Sequence, residues 1–246
     1  MIALYGFSPS FGVLDLSPFV VKVATYLRMV GVDFALKVGD ARKAPKGKLP
    51  FIKDGDRAIA DSTTIVDYLR KTYKDLDVGM SPADSAQATA YQAMLEEHFY
   101  FTMVTLRWVD DRGWAVLSPS LATILKKAGV PGLLVGTLMG VIRNRVRRTV
   151  HAQGTGRHSI DDVEAMAIRH IDALSTALGD KPYFLGDALR SIDATIFAFL
   201  WVTLDTPFEG RVKAHMAGKP NLVAYKNRLK TQYFKDYCGP SGETAA

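Results

Sequence analysis

The N-terminal part of the chain alternates between short apolar runs and one longer stretch with helical spacing. The apolar runs Ile2 to Tyr5 and Phe34 to Val38 have the length of buried strands. Between them, from about Ser17 to Gly31, apolar residues fall on one helical face, with Ser17 as a good N-cap and Pro18 in the first turn. This pattern predicts a strand, a helix and a second strand in that order.

The next stretch, Lys48 to Leu69, predicts a hairpin followed by a helix. Two short runs, Leu49 to Ile52 and Arg57 to Ala60, flank an Asp-Gly turn, which is a strong local hairpin signal. Pro50 opens the first of these strands, where its missing N–H suits an edge, and the Leu-Pro bond can be cis. A helix then opens at Asp61-Ser62. The order βαβ followed by ββα is that of a thioredoxin-like domain.

Beyond a Gly- and Pro-containing segment near Val78, the pattern is helical with no convincing strand. The predicted helical regions run from Ser81-Pro82 to about Asp111, from Ser118 to about His151 with a break near Gly129, from Ser159 onward, and from Ile192 to Leu204. We therefore expect an α+β two-domain protein, with a thioredoxin-like domain over residues 1–78 and an all-helical domain over residues 79–246.

Composition and charge narrow the class of protein. Of the 246 residues, 48% are hydrophobic and 23% are charged, as in a soluble globular protein. The net charge of +6 is modest, and the basic clusters Lys43–Lys53 and Arg143–Arg148 contain a single aromatic residue, Phe51, which argues against nucleic acid. The single cysteine, Cys238, excludes an intramolecular disulfide framework and fits a reducing compartment. The five histidines are scattered, so no metal-ligand spacing is present.

Two observations bear on membranes. The N-terminus lacks the features of a signal peptide, and no apolar run reaches the ~18 residues of a membrane span, so we expect a cytoplasmic protein without an integral membrane segment. The apolar run Val130 to Ile142, with Gly132, Gly136 and Gly140, precedes the basic sequence RNRVRR. Such a basic amphipathic segment can lie on a membrane surface or a partner. Packing inside the helical domain is the interpretation that we favour.

The stretch around the hairpin resembles the glutathione-binding half of the cytosolic glutathione S-transferase superfamily. The match is Leu49-Pro50 and Asp61-Ser62, separated by a hairpin of the expected length. In that superfamily a cis-proline and an acidic-Ser pair at a helix start hold glutathione. The chemistry is sensible in its own right, because free N–H groups at a helix start bind a carboxylate, Ser62 adds a hydroxyl and Asp61 can face an ammonium group. The alternative is that Asp61 or Ser62 only caps the helix.

Other segments resemble one bacterial branch, related to failed-axon-connections proteins and metaxins. The segments that carry this likeness are SPFVVKVATYLRMVGVDF from Ser17, GTGRHS from Gly154, YFLGD from Tyr183 and SIDATIF from Ser191. The resemblance implies that Asp193 helps to cap a core helix. Arg190 stands where the superfamily usually has Ser or Thr, and Ser191 can replace it if the cap shifts by one residue.

The resemblance implies glutathione as co-substrate, with its thiolate as the nucleophile. Ser17 is the first candidate to stabilise the thiolate, because it precedes Pro18 at a helix N-terminus. Cysteine-type relatives have their cysteine at that place, whereas this N-terminal domain contains none, which excludes exchange through a protein thiol there. Tyr5, near the end of the first strand, is the second candidate. A plain helix cap for Ser17 and core packing for Tyr5 are the alternatives.

In the implied site, Lys48 meets the glycyl carboxylate, Leu49 and Pro50 hold the cysteinyl part, and Asp61 and Ser62 bind the γ-glutamyl group. The expected function is a transferase that conjugates glutathione to a small apolar electrophile, as in detoxification. The alternative is a non-catalytic, metaxin-like binding or scaffold protein with the same fold. The superfamily also implies a homodimer, formed by the helix after Asp61 and the one after Ser81.

Overall fold

A computed structural model of the chain describes residues 1–235 and residue 237. Cys238, on which the redox argument depends, lies outside the described residues. The chain forms two compact units. The first contains Met1–Gln92, Ala177–Thr206 and the described residues from Lys219 onward, and the second contains Ala93–Thr176 and Pro207–Gly218. The boundary between residues 78 and 79 stays a prediction about domain organisation.

The described residues contain a small sheet followed by helices, in the predicted order. The strands are β1 (Ile2–Gly6), β2 (Phe34–Val38), β3 (Phe51–Asp54) and β4 (Arg57–Ala60). The helices are α1 (Pro18–Met29), α2 (Ser62–Thr72), α3 (Pro82–Ala93), α4 (Tyr100–Val104), α5 (Asp111–Lys127), α6 (Gly132–Gln153), α7 (Ile160–Leu178), α8 (Ser191–Leu204), α9 (Arg211–Ala217) and α10 (Pro220–Phe234). The predicted fold class, a βαβ-ββα domain with a helical domain after it, is confirmed.

The sheet has the strand order β2-β1-β3-β4. β1 is parallel to β2 and antiparallel to β3, and β4 is antiparallel to β3. Tyr5 therefore lies opposite Phe51, and Phe51 lies opposite Ala60. This register places the end of β1, the start of β3 and the end of β4 at one edge of the sheet. Pro50, Asp61 and the loop that leads to Ser17 all adjoin that edge.

The first unit has its core on one face of the sheet and around α8. Leu4 and Ile52 point toward the same face and are fully buried, as are Ile65 and Leu69 of α2. α8 is apolar on all sides, which is typical of a helix surrounded by protein, and all but two of its 14 residues are buried. Its burial confirms the predicted buried helix from Ile192 to Leu204.

The start of α8 is held differently from what the sequence predicted. Asp193 Oδ2 accepts a hydrogen bond from the Arg190 N–H at 2.8 Å, but an arginine side chain has no acceptor to return one. The expected shift of the cap to Ser191 is wrong, because the Ser191 hydroxyl donates to Asp77 Oδ2 at 2.5 Å. Arg190 Nη1 instead donates to the carbonyls of Leu76 and Val78 at 3.0 and 2.9 Å.

The second unit contains a long helical stretch that ends at Val109. Within this stretch, one π-helical turn precedes α4 and another follows it. The next helix was expected to start at Ser118, and that expectation is wrong. It starts at Asp111, because the Asp110 side chain accepts from the Arg112 N–H at 3.0 Å and caps it. Glu164 is buried here and pairs with Arg112 and Arg211 at 3.2 and 3.3 Å. No helix in the described part of the chain is long and apolar enough to cross a membrane.

Candidate active site

The predicted cis-proline lies next to the start of α2. The Leu49-Pro50 bond is cis, and the Asp61 N–H donates to the Pro50 carbonyl at 3.4 Å. The pairing of Phe51 with Ala60 in the neighbouring strands holds the two residues at the same edge of the sheet. The fold thus brings together the two motifs that were predicted to bind glutathione.

Asp61 occupies the N-cap position of α2 with an unusual backbone. Its φ of 82° and ψ of 125° lie outside the regions that non-glycine residues ordinarily adopt. Its Oδ1 accepts from the N–H groups of Thr63 and Thr64 at 3.2 and 3.4 Å, so Asp61 does cap the helix. Backbone strain of this kind costs about 1–3 kcal/mol and persists where the surroundings impose it, commonly at functional sites.

Ser62 is the first residue of α2 and follows Asp61 directly. Ser62 is buried, and its hydroxyl has no hydrogen-bond partner among the described residues. A hydroxyl at a helix start, beside backbone N–H groups and the positive end of the helix dipole, is well suited to a carboxylate ligand. Capping by Asp61 leaves Ser62 free for that role.

Lys48 contacts Asp61 directly. Lys48 Nζ lies 2.9 Å from Asp61 Oδ2, with the lysine side chain 62% exposed and the aspartate side chain 28% exposed. Burial opposes ionisation of Asp61, but the Lys48 ammonium and the Thr64 amide outweigh it, so the pKa of Asp61 lies below its usual value. Asp61 therefore carries a full negative charge near neutral pH and can attract an ammonium group. Lys48 is flexible and exposed, so it can leave this pair when a ligand binds.

A buried lysine that was not predicted as a site residue contacts the first turn of α2. Lys22 is only 3% exposed, and its Nζ donates to Thr63 Oγ1 at 3.1 Å, as does Gln92 Nε2 at 2.7 Å. These side chains line a polar cavity of ≈ 100 Å³ together with Arg70 and Asp77. The Lys22 charge adds to the positive potential of the helix start. A charged residue amid the apolar run VVKVAT was the available signal.

Asp15 was also missed, and it ties the loop after β1 to the start of α1. It is fully buried, and its two oxygens accept from the N–H groups of Phe7 at 2.7 Å and Ser17 at 2.8 Å. Gly6 permits this approach, because a Cβ there would lie 2.6 Å from Asp15 Oδ2 and 2.7 Å from Val20. Burial raises the pKa of Asp15 to about 7, although the two N–H groups oppose the rise.

Asp15 is expected to make stability depend on pH. Because folding raises the pKa of Asp15 from 3.8 to about 7, protonation of this carboxyl stabilises the folded state. This contribution is complete below the unfolded pKa and is lost as the pH rises through the folded one. The unfolding free energy of the wild type minus that of Asp15→Asn should therefore fall by about 2–4 kcal/mol between pH values of about 4 and 8, in urea titrations. A constant difference would contradict the assignment, and Asp56→Asn, on the exposed hairpin turn, is the matched control.

Ser17 and Tyr5 have different surroundings. Ser17 is half-buried at the N-cap position of α1, and its side chain makes no capping hydrogen bond. The capping alternative therefore applies to its backbone position and leaves the hydroxyl available. The Tyr5 ring stacks on Phe51 with centroids 4.2 Å apart and planes within 5°, and it packs against a cluster that includes Leu49 and Ala60. Core packing thus accounts for the ring of Tyr5.

The aromatic residues of the second unit divide between core and surface. Phe99 is fully buried and lies against His170, with ring centroids 6.3 Å apart. Trp108 and Trp114 are 5.9 Å apart, and the Arg143 guanidinium lies 4.7 Å above the Trp114 ring. Arg143 also donates to the Trp108 carbonyl at 2.8 Å. Phe99 is therefore a core residue, whereas the tryptophans form a partly exposed cluster.

A thioredoxin-like sheet, a cis-proline beside an acidic-Ser helix start and a helical domain together form the arrangement that is expected of a glutathione transferase. The family comparison agrees with it. The glutathione S-transferase N-terminal domain family matches residues 18–113, and the C-terminal domain family matches residues 167–229. The chain belongs to the glutathione S-transferase family. Its co-substrate is accordingly glutathione.

Similar proteins place the chain within this family more closely. The isoprene-epoxide–glutathione S-transferase of Rhodococcus sp. (strain AD45) is 39% identical over 241 residues, which cover 95% of this chain and 99% of that protein. Failed axon connections of Drosophila melanogaster is 29% identical, covering 96% of this chain and 59% of that protein. Human metaxin-1 is 26% identical over 86% of this chain and 47% of that protein. The predicted branch is thus confirmed, and the chain is a glutathione transferase.

Solved structures agree on the fold. A theta class glutathione S-transferase from Xanthomonas axonopodis pv. citri, with glutathione bound, superimposes with a TM-score of 0.61 at 18% identity, covering 99% of both chains. Glutathione S-transferase III in apo form has a TM-score of 0.62 at 21% identity, covering 96% of this chain and 94% of that one.

Proposed function

We propose that this transferase conjugates the thiolate of glutathione to a small apolar epoxide, and that it binds glutathione at the start of α2. One observation carries the proposed site: Pro50, Asp61 and Ser62 lie together at one edge of the sheet, with the Ser62 hydroxyl free of partners among the described residues. The epoxide is suggested by the isoprene epoxide in the name of the relative with 39% identity.

The proposed binding follows from the charges at that edge. The γ-glutamyl carboxylate accepts from Ser62 and from the N–H groups of the first turn of α2, where the helix dipole and Lys22 favour an anion. The γ-glutamyl ammonium faces Asp61, whose depressed pKa keeps it ionised. Leu49, next to the cis-proline, offers its backbone to the cysteinyl part. When glutathione binds, Lys48 leaves its ion pair with Asp61 and pairs with the glycyl carboxylate of the ligand.

In the proposed reaction, the glutathione thiol loses its proton to solvent. The sulfur then attacks an epoxide carbon, a C–S bond forms, the C–O bond breaks, and the alkoxide takes a proton from water. Ser17 stabilises the thiolate by donating its hydroxyl hydrogen, aided by the N-terminus of α1. Tyr5 is the second candidate for this role, and the stacking of its ring on Phe51 makes it the weaker one.

Ser17→Ala is expected to lower kcat/KM for conjugation by about 10–100-fold, because the thiolate loses a charge-assisted hydrogen bond. The apparent pKa of the bound thiol, read from the pH profile of kcat/KM, should rise in the same variant. Tyr5→Phe is the matched control and should change kcat/KM by less than about twofold. The opposite ranking would transfer the role from Ser17 to Tyr5.

We propose a homodimer formed through α2 and α3. Support comes from α3, whose 12 residues include none that is buried in the single chain. A helix with no buried face gains stability when a partner covers it. Sedimentation equilibrium on the full chain should give the mass of two copies. A single-chain mass at micromolar concentration would contradict this assembly.

The proposal also covers the cellular compartment and the roles of the two domains. A chain with a single cysteine suits a reducing compartment, which favours the cytoplasm. The thioredoxin-like domain over residues 1–78 supplies the glutathione site, and the helical domain over residues 79–246 supplies the electrophile pocket.

The reaction is tested by incubating the protein with glutathione and a short-chain 1,2-epoxide and detecting the conjugate by mass spectrometry. The proposed function predicts enzyme-dependent formation of the thioether alcohol. Glutathione binding without turnover on any apolar electrophile would instead favour the alternative, a metaxin-like binding or scaffold protein.

A further inference from the structure

The hairpin formed by α5 and α6 is poorly covered by the rest of its unit. Only Gly113 and Leu117 of α5 are buried, and only Val135 and Val150 of the 22 residues of α6. The expectation that the glycine-containing segment packs inside the domain is therefore wrong for most of its length. A two-helix surface of this size exposes side chains that the fold itself does not need.

Apolar side chains are concentrated on this hairpin. Four large hydrophobic residues are strongly exposed near the turn between the helices or along α6: Ile124 at 44%, Leu133 at 97%, Leu134 at 55% and Val141 at 60%. Single exposed hydrophobic residues are ordinary, but a group on one structural element marks an interaction surface.

The positive charge of the chain is concentrated on the same element. Residues 111–153 contain seven of the 31 basic residues and one of the 25 acidic ones. The hairpin thus carries the whole net charge of +6, and the remaining residues are balanced. The single acid, Asp111, is already paired with Arg143 at 2.6 Å. Lys126, Lys127, Arg145 and Arg148 are exposed and have no ion pair with any described residue.

Charged and apolar side chains share one face of α6. Leu134, Val141, Arg145 and Arg148 follow one another at intervals of seven, four and three residues, which keeps them on one side of a helix. The apolar part lies toward the turn, where Lys126 and Lys127 flank it, and the arginines follow further along. An interfacial helix has this pattern, because its apolar groups enter the headgroup region of a bilayer while its cations stay at the surface.

We propose that the α5–α6 hairpin docks on an anionic lipid surface, with Leu133 and Leu134 entering the bilayer and Lys126, Lys127, Arg145 and Arg148 contacting the headgroups. Charge complementarity selects this occupant. A second copy would place two hairpins of net charge +6 against each other, and like charges repel. A nucleic acid would satisfy the cations but would leave the leucines without apolar contacts.

The test is co-sedimentation of the full chain with vesicles of phosphatidylcholine alone or with one-third phosphatidylglycerol. The proposal predicts binding to the anionic vesicles that is at least about tenfold stronger than to the neutral ones and that weakens with added salt. Leu133→Glu/Leu134→Glu and Arg145→Glu/Arg148→Glu should each weaken it by about tenfold or more. Unchanged circular dichroism shows that the variants fold.

The matched controls introduce glutamate at exposed hydrophobic and basic residues outside the hairpin. Val78→Glu changes a hydrophobic residue that is 74% exposed, and Lys43→Glu/Lys46→Glu reverses two exposed cations of the other basic cluster. Both controls should bind anionic vesicles like the wild type. The proposal is overturned if the wild type does not bind them, if the controls lose as much binding as the hairpin variants, or if the leucine variant changes only the mass in solution, which would make a second copy the occupant.

Discussion

Replacing Asp193 with alanine is expected to lower the free energy of unfolding by about 3–5 kcal/mol. The carboxylate is fully buried and accepts from the N–H groups of Arg190 at 2.8 Å and Phe184 at 3.2 Å and from the Tyr225 hydroxyl at 2.7 Å. Burial raises the pKa of Asp193, although these three donors oppose the rise. Alanine would leave all three donors unsatisfied in the interior and would open a cavity.

Graded variants separate this role from a general effect of losing an aspartate. Tyr225→Phe removes one of the three donors and should cost about 1 kcal/mol. Asp187→Ala removes an exposed aspartate close by in sequence and should change stability by less than about 0.5 kcal/mol. Guanidinium unfolding of the three variants at one pH measures the ranking. If Asp193→Ala costs no more than Asp187→Ala, the buried hydrogen-bond network does not hold the start of α8.

Asp61→Asn is expected to weaken glutathione binding by about tenfold or more, because the ligand ammonium loses its charge-assisted hydrogen bond to a carboxylate and faces a neutral amide. Asparagine can keep the bonds to Thr63 and Thr64 and tolerates a positive φ better than other residues. The melting temperature should therefore change little. Asp61→Ala would mix the loss of charge with the loss of the cap and with backbone strain.

Two comparisons make this effect specific to the site. Asp56→Asn makes the same change on the exposed turn between β3 and β4 and should leave the glutathione Kd unchanged. Ser62→Ala, which removes a hydroxyl and keeps the charge, should weaken binding by about 1 kcal/mol. Equal Kd values for the wild type and Asp61→Asn, by calorimetry, would show that the γ-glutamyl ammonium lies elsewhere.

Local signals in the sequence predicted the N-terminal fold closely. The Asp-Gly turn, the capping position before Pro18 and the apolar periodicity placed the four strands, α1 and the start of α2 within one or two residues of their observed positions. These features follow from neighbouring residues alone. The start of α5 was missed because Ser118 has a capping residue type, whereas the actual cap, Asp110, follows directly on the preceding helix.

The arrangement of the candidate site was predictable where it consists of short motifs and unpredictable where it depends on contacts between residues that are distant in sequence. Leu49-Pro50 and Asp61-Ser62 were recognisable as motifs, and the structure places them side by side. The bond from Lys22 to Thr63 spans 41 residues and depends on how α1 packs on α2. The tie from Arg190 to Leu76 spans 114 residues, and no local pattern encodes it.

Isothermal titration of the full chain with glutathione shows whether the edge formed by Pro50, Asp61 and Ser62 binds this tripeptide. We expect a saturable 1:1 isotherm per chain with a Kd in the micromolar to sub-millimolar range. Binding should be weaker in Asp61→Asn and Ser62→Ala and unchanged in Asp56→Asn. If millimolar glutathione gives no binding heat, and S-methylglutathione does not change the titration, glutathione does not bind at this edge.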